Sequence, residues 1–316
     1  MSYKKKIGLL TLLSVVLIVL FLSIGLNANN WNYALSRRIP KIIAIVLTGS
    51  IIAFSSMVFQ TITNNRILTP SVLGLDALYM FIQTLVVFIF AGSSLTVVSR
   101  HTNFLLSVAL MIAFSSILYK FIFKKEQQNI YFLLLVGLIF STLFQSLSSF
   151  MQMLIDPNEF GVVQSRMFAS FNNVNTDLLL IAVIMVLSIG IYIYPHRKIL
   201  DVLSLGREEA INLGVDYDKS VKRILIVVII MVSVATALVG PITFLGLLVV
   251  NLARELLNTY QHKYLIITSI LMSSIALVGG QLVIERVLNF KTPLSVIINL
   301  VGGLYFIYLL LKENKA

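Results

Sequence analysis

Residues 7–26 read IGLLTLLSVVLIVLFLSIGL, without one charged side chain, and follow directly on Lys4, Lys5 and Lys6. An α-helix rises about 1.5 Å per residue, so about 20 apolar residues cross the roughly 30 Å of hydrocarbon in a bilayer. The run is too long for the apolar part of a cleaved signal peptide, and no small-residue cleavage pattern follows it. It is expected to remain as a first membrane span, with the three lysines holding its start on the inner side.

Comparable runs follow at residues 41–59, 71–91, 103–123, 130–150, 177–195, 224–239, 264–284 and 294–311. Residues 240–260, GPITFLGLLVVNLARELLNTY, are too many to prolong the span before them and are interrupted by Gly240, Pro241 and Gly246. Proline removes a backbone donor and restricts the residue before it, so the Gly-Pro pair ends one helix. A separate, shorter span is therefore predicted over residues 246–257. The expectation is an all-α polytopic membrane protein with about ten transmembrane helices, forming one domain over residues 1–316. Composition agrees, at 58% hydrophobic and 12% charged residues with a mean hydropathy of +0.96. A soluble domain does not carry repeated runs of this length.

Charge distribution orients the spans, because short cytoplasmic loops collect Lys and Arg. With the N-terminus inside, the predicted inner segments hold 17 of the 24 Lys and Arg, among them Arg66, Lys120, Lys124, Lys125, Arg197, Lys198, Arg207, Arg254, Lys263, Lys312 and Lys315. The outer segments hold Arg37, Arg38, Lys41, Arg100, Arg166, Arg286 and Lys291. The bias predicts that both termini are cytoplasmic. It also accounts for the net charge of +11: in a multi-pass protein such charge first serves orientation and contact with anionic lipid, and it does not call for a nucleic acid.

Two connections are longer than turns need. The outer one, residues 151–176, contains the polar DPNEF and the amphipathic FGVVQSRMFASF. The inner one, about residues 196–222, contains LSLGREEAINLGVDYDKS, whose REEAINLG portion reads as a short helix ended by Gly214. Helical structure in an inner loop suits a docking element for a soluble partner; the alternative is a solvated linker.

Several chemistries are excluded. No G-x-x-x-x-G-K-[ST] and no Gly-Lys pair occurs, so the chain does not cradle nucleotide phosphates. There is no cysteine, and His101, His196 and His262 stand at or near span ends without metal-ligand spacing, so interfacial positions are expected for all three. No acidic residue is expected mid-span, which disfavours a proton- or sodium-coupled secondary transporter and a membrane enzyme. No catalytic residue, metal site or cofactor is expected. The second and fifth spans instead carry small and hydroxylated residues, Thr48, Gly49, Ser50, Ser55 and Ser56, then Ser141, Thr142, Ser146, Ser148 and Ser149. Such residues let helices approach closely, and their hydroxyls can also wet a pathway.

Residues 37–74 resemble a known signature, R-x-P-R…G…G…Q…N-P-L…P…LG, through Arg38, Pro40, Lys41, Gly49, Gln60, Asn65, Leu68, Pro70 and Gly74. LSLGREEAINLGV looks like the inner coupling loop of the same family. GPITFLGLLVVNLAR, from Gly240 and Pro241 through Gly246 and Asn251 to Arg254, is similar to its GPIGFVGLxxPHxxR motif. VGGLYFIYLLL is similar to its closing GAPFFxxLL. The family is that of the permeases of iron-siderophore, haem and cobalamin ABC importers. Arg66 stands where the family has proline after Asn65, and Val250-Asn251 where it has Pro-His, a look similar to the catecholate-siderophore subgroup.

The resemblance implies two permease subunits, the same or homologous, around a central path in the bacterial cytoplasmic membrane. It further implies cytoplasmic ATPase subunits beneath and a siderophore-binding protein outside. Arg38 and Arg286 are the implied contacts to the binding protein, though the step from Arg286 to Pro293 is shorter than in the family. For Arg38 a snorkelling interfacial role is the alternative. Leu205, Gly206, Glu208, Ala210, Leu213 and Gly214 are implied in ATPase coupling. Gly49, Gln60, Asn65, Pro70, Ser146, Ser149 and the 240–254 motif are implied along the path. Haem or cobalamin is the alternative cargo.

Overall fold

A computed structural model describes residues 2–26, 31–90, 99–122, 130–172 and 174–313. Lys124, Lys125 and Lys315, which entered the charge reading above, lie outside the described residues, as do Ala91 and Phe123 at two predicted span ends. The described chain is all-helical. Its helices are α1 (Tyr3–Ser23), α2 (Trp31–Ile62), α3 (Leu75–Phe90), α4 (Arg100–Ile122), α5 (Ile130–Leu154) and α6 (Pro157–Arg166). They continue as α7 (Thr176–Ile193), α8 (Arg197–Leu203), α9 (Arg207–Asn212), α10 (Tyr217–Val239), α11 (Leu245–Leu257), α12 (His262–Arg286) and α13 (Leu294–Glu313).

A helix stands at each predicted span. Among the described residues, seven stretches are long and apolar enough to cross a bilayer: α1, α2, α10, α12 and the α7–α8 run throughout, and parts of α5 and α13. α3 is apolar but shorter, and α4 and α11 occupy the other predicted positions.

Local chemistry fixes several boundaries. Asp156 accepts a hydrogen bond from the Asn158 amide and is followed by Pro157 at the first turn of α6. Asn175 caps α7 by accepting from the amides of Asp177 and Leu178. Asp216 accepts from the Lys219 amide, so α10 begins at Tyr217, earlier than the apolar run from residue 224 suggests. Its end is the expected one: Gly240 takes φ +108 and Pro241 follows. α2 departs furthest from expectation, starting at Trp31 and passing through Pro40 instead of starting beside it. The missing proline N–H costs one helical bond, which a long helix tolerates.

α2 and α10 form the centre, with 67% of their most apolar windows buried, against 11% for α1 at the periphery. α2 packs against α12, α10 and α11. These approaches are close because small residues face each other. A side chain at Gly49 would meet Ser273 and Leu277 on α12, and one at Gly246 would meet Ser56 and Ile52 on α2. Gly49, Ser56 and Gly246 thus stand at the contacts between these helices. The α3 to α5 contact is tight at Gly74, whose φ of +82 places its backbone against Ser141 and Gly137.

Candidate functional site

Three regions gather the residues singled out by the sequence. At one end of the bundle, Arg38 Nη1 donates to the Leu22 carbonyl at 2.8 Å and Arg286 Nη2 donates to the Ile24 carbonyl at 2.7 Å. Both guanidinium groups thus sit on the last carbonyls of α1, which are unsatisfied within the helix and carry its negative dipole end. Arg38 is half-buried and Arg286 exposed. Beside them, Lys41 Nζ is 2.7 Å from Glu285 and 3.0 Å from Asn172 Oδ1, and Gln281 donates to both acceptors. Lys41 and Glu285 are only 15% and 13% exposed, so this pair ties α2, α12 and the outer connection together.

In the middle of the bundle, the break between α10 and α11 is packed from outside by residues 168–170. The Ser170 amide donates to the Val239 carbonyl, and a side chain at Gly240 would meet the Ala169 backbone. Thr243, within the break, donates to Asp76 Oδ2 at 2.9 Å. Asp76 stands in the first turn of α3, half-buried, where α3 starts from a turn at Pro70–Leu73 that packs on α5. On α5, Thr142, Gln145, Ser146 and Ser149 are exposed along one side, whereas Phe144 and Ser148 are buried. Gln60 is buried on α2, with neither amide atom bonded among the described residues.

At the opposite end, Lys6 Nζ donates to the Leu256 carbonyl, which puts the start of α1 beside the end of α11. Asn65 Oδ1 accepts from the Ile67 amide, and Asn251 Nδ2 donates to the Arg66 carbonyl at 3.0 Å. Asn251 thereby does what the sequence motif left unstated: it ties α11 to the turn below α2. Arg254 is half-buried on the same helix.

α8 and α9 lie at this end. Leu200, Leu203 and Ala210 join the core that contains Phe59, Ile62 and Tyr217. α9 ends in a Schellman turn: the Gly214 amide donates to the Ile211 carbonyl, the Val215 amide donates to the Ala210 carbonyl, and Gly214 takes φ +81. Gly206 precedes α9 at φ +107. Leu205, Ile211 and Leu213 remain 57%, 51% and 62% exposed, and Glu208 is exposed with them.

The sequence missed one group here. His262, expected at an interface, is fully buried. It is bonded to Asp201 of α8 and to Thr61 of α2. Residues so far apart in sequence leave no local signal.

Residues 7–312 match the FecCD transport family. The chain is 64% identical, over the full length of both, to the petrobactin import system permease protein YclO of Bacillus subtilis. It is 37% identical to the petrobactin import system permease protein FatC of Bacillus anthracis, over 88% of this chain and 78% of that one. In three dimensions it is similar to a metal-chelate type ABC transporter solved in an inward-facing conformation. The TM-score is 0.84 at 25% identity, covering 98% of this chain and all of the other. With the motifs, the helical order and these likenesses in agreement, the chain belongs to the FecCD transport family, a family of membrane-embedded permeases of ABC importers.

Proposed function

We propose that this chain carries a ferric catecholate-type siderophore, with petrobactin the first candidate, through the cytoplasmic membrane. It crosses the membrane ten times with both termini in the cytoplasm. It pairs with a second permease, receives its cargo from an outer binding protein that meets Arg38 and Arg286, and is driven by ATPases docked on α9. Residues 196–222 serve as the coupling loop, and Ser146 and Ser149 face the path.

The observation that carries this reading is the α8–α9 segment. Leu200, Leu203 and Ala210 anchor it from within, while Leu205, Ile211 and Leu213 face outward at the lysine- and arginine-rich end. Exposed apolar side chains on a firmly seated short helix suit a partner's groove. The cargo reading is supported by the petrobactin permeases among the relatives.

Deleting the gene from its source organism and feeding iron as ferric petrobactin, ferric hydroxamate or haem tests the cargo. Loss of petrobactin uptake alone, restored by the intact gene, is expected. Unchanged petrobactin uptake with loss of haem uptake refutes it.

A further inference from the structure

We infer that Asp201, His262 and Thr61 form a mechanical link that passes movement of the α8–α9 segment to α2 and α12, making them positioning residues for transport. Asp201 Oδ1 accepts two hydrogen bonds from one residue: the backbone amide of His262 at 2.8 Å and its Nδ1 at 2.7 Å. The other ring nitrogen, Nε2, lies 2.7 Å from Thr61 Oγ1, and that hydroxyl also reaches the Met57 carbonyl at 2.9 Å. Since a carboxylate only accepts, Nδ1 carries a proton.

The arrangement has two unusual features. The first amide of α12 is capped from another element: the preceding Gln261 makes no side-chain cap, and the acceptor comes from α8. Thr61 is the penultimate residue of α2, so the chain of bonds ends on the helix at the centre of the bundle. Asp201 is itself held by the buried Leu200 and Leu203 on either side of it in α8. A displacement of α8 therefore either carries the ends of α12 and α2 with it or breaks short bonds at a fully buried imidazole, where lost partners are costly.

This inference rests on α9 being the ATPase dock, and the two are tested separately. The assembled importer, with its ATPase, second permease and binding protein, is reconstituted in vesicles, and ferric petrobactin imported per ATP hydrolysed is measured. Thr61→Val keeps shape and removes the hydroxyl; Asp201→Ala removes the acceptor. Both are expected to lower import per ATP by about fivefold or more while the ATPase still co-purifies. Thr61→Ser and Asp201→Asn, which keep the hydroxyl and the accepting oxygen, are expected to stay near the parent. An unchanged ratio in Thr61→Val and Asp201→Ala overturns the link. Loss of the ATPase from those variants also overturns it, because the residues would then serve docking alone. Leu213→Glu tests the dock by itself: it should strip the ATPase from the purified complex, and retention would refute the docking reading without touching the ratio measured for the link.

Discussion

Replacing Gly214 with valine isolates the geometry of the coupling segment from its packing. The residue holds φ +81 at the end of α9, and nothing lies within 4 Å of the position a side chain would take. The cost is therefore conformational. An L-residue in the left-handed region loses about 1–2 kcal/mol, and β-branching adds crowding. That energy lowers the population of the native turn by roughly 5–30-fold. The Schellman bonds to Ile211 and Ala210 open first, and Leu213 moves with them. Asparagine tolerates the same backbone, so Gly214→Asn should keep most of the function. The assay is uptake and ATP hydrolysis by the assembled importer in vesicles, normalised to inserted chain, with thermal unfolding in detergent as control. Gly214→Val should depress stimulated hydrolysis and uptake together and leave unfolding nearly unchanged. Parental uptake from a normally inserted Gly214→Val chain would refute the role given to this turn.

Reversing Arg38 to glutamate should weaken docking of the binding protein, and a reversed carboxylate on that protein should restore it. Losing one partner of a pair desolvated in the docked interface costs roughly 2–5 kcal/mol, so uptake unaltered at both low and high salt would reduce Arg38 to an anchor for the end of α1. Gly246→Ala drives a methyl group onto Ser56 and should lower stability by about 1–3 kcal/mol, with Ser56→Gly in the same chain returning most of it. Denaturation in detergent reads both effects, and additive losses would contradict the contact. Lys41→Ala leaves Glu285 half-buried with Gln281 as its remaining partner and should cost about 2 kcal/mol. Glu285→Gln should cost less, and equal melting temperatures for Lys41→Ala and the parent would show that the pair is solvated.

What was legible in the sequence follows from what a bilayer demands. Apolar runs such as residues 7–26 have no other solution, and Gly240-Pro241 announces its break through its own backbone. Gly214 marks the end of α9 for the same reason. Less legible were features decided by partners far along the chain. α10 begins in polar sequence because Asp216 caps it, and α2 begins at Trp31, running through a Pro40 that a long helix tolerates. His262 read as interfacial because neither Asp201 nor Thr61 stands near it in sequence. The hydroxyls of α2 and α5 divided by face: Ser56 meets a neighbouring helix, while Ser146 and Ser149 stay open.

The start of α2 ahead of Pro40 also gives the molecule a built-in optical probe. The chain has one tryptophan, Trp31, and it is the first residue of this helix, 55% exposed. Indole emission from the chain therefore arises at a single point, on the same helix and two turns from Arg38. A tryptophan-free binding protein settling on that surface would change its colour and quenching without any label being introduced. Because α2 runs unbroken to Thr61 at the other end, nucleotide-driven motion below should be readable in the same signal above.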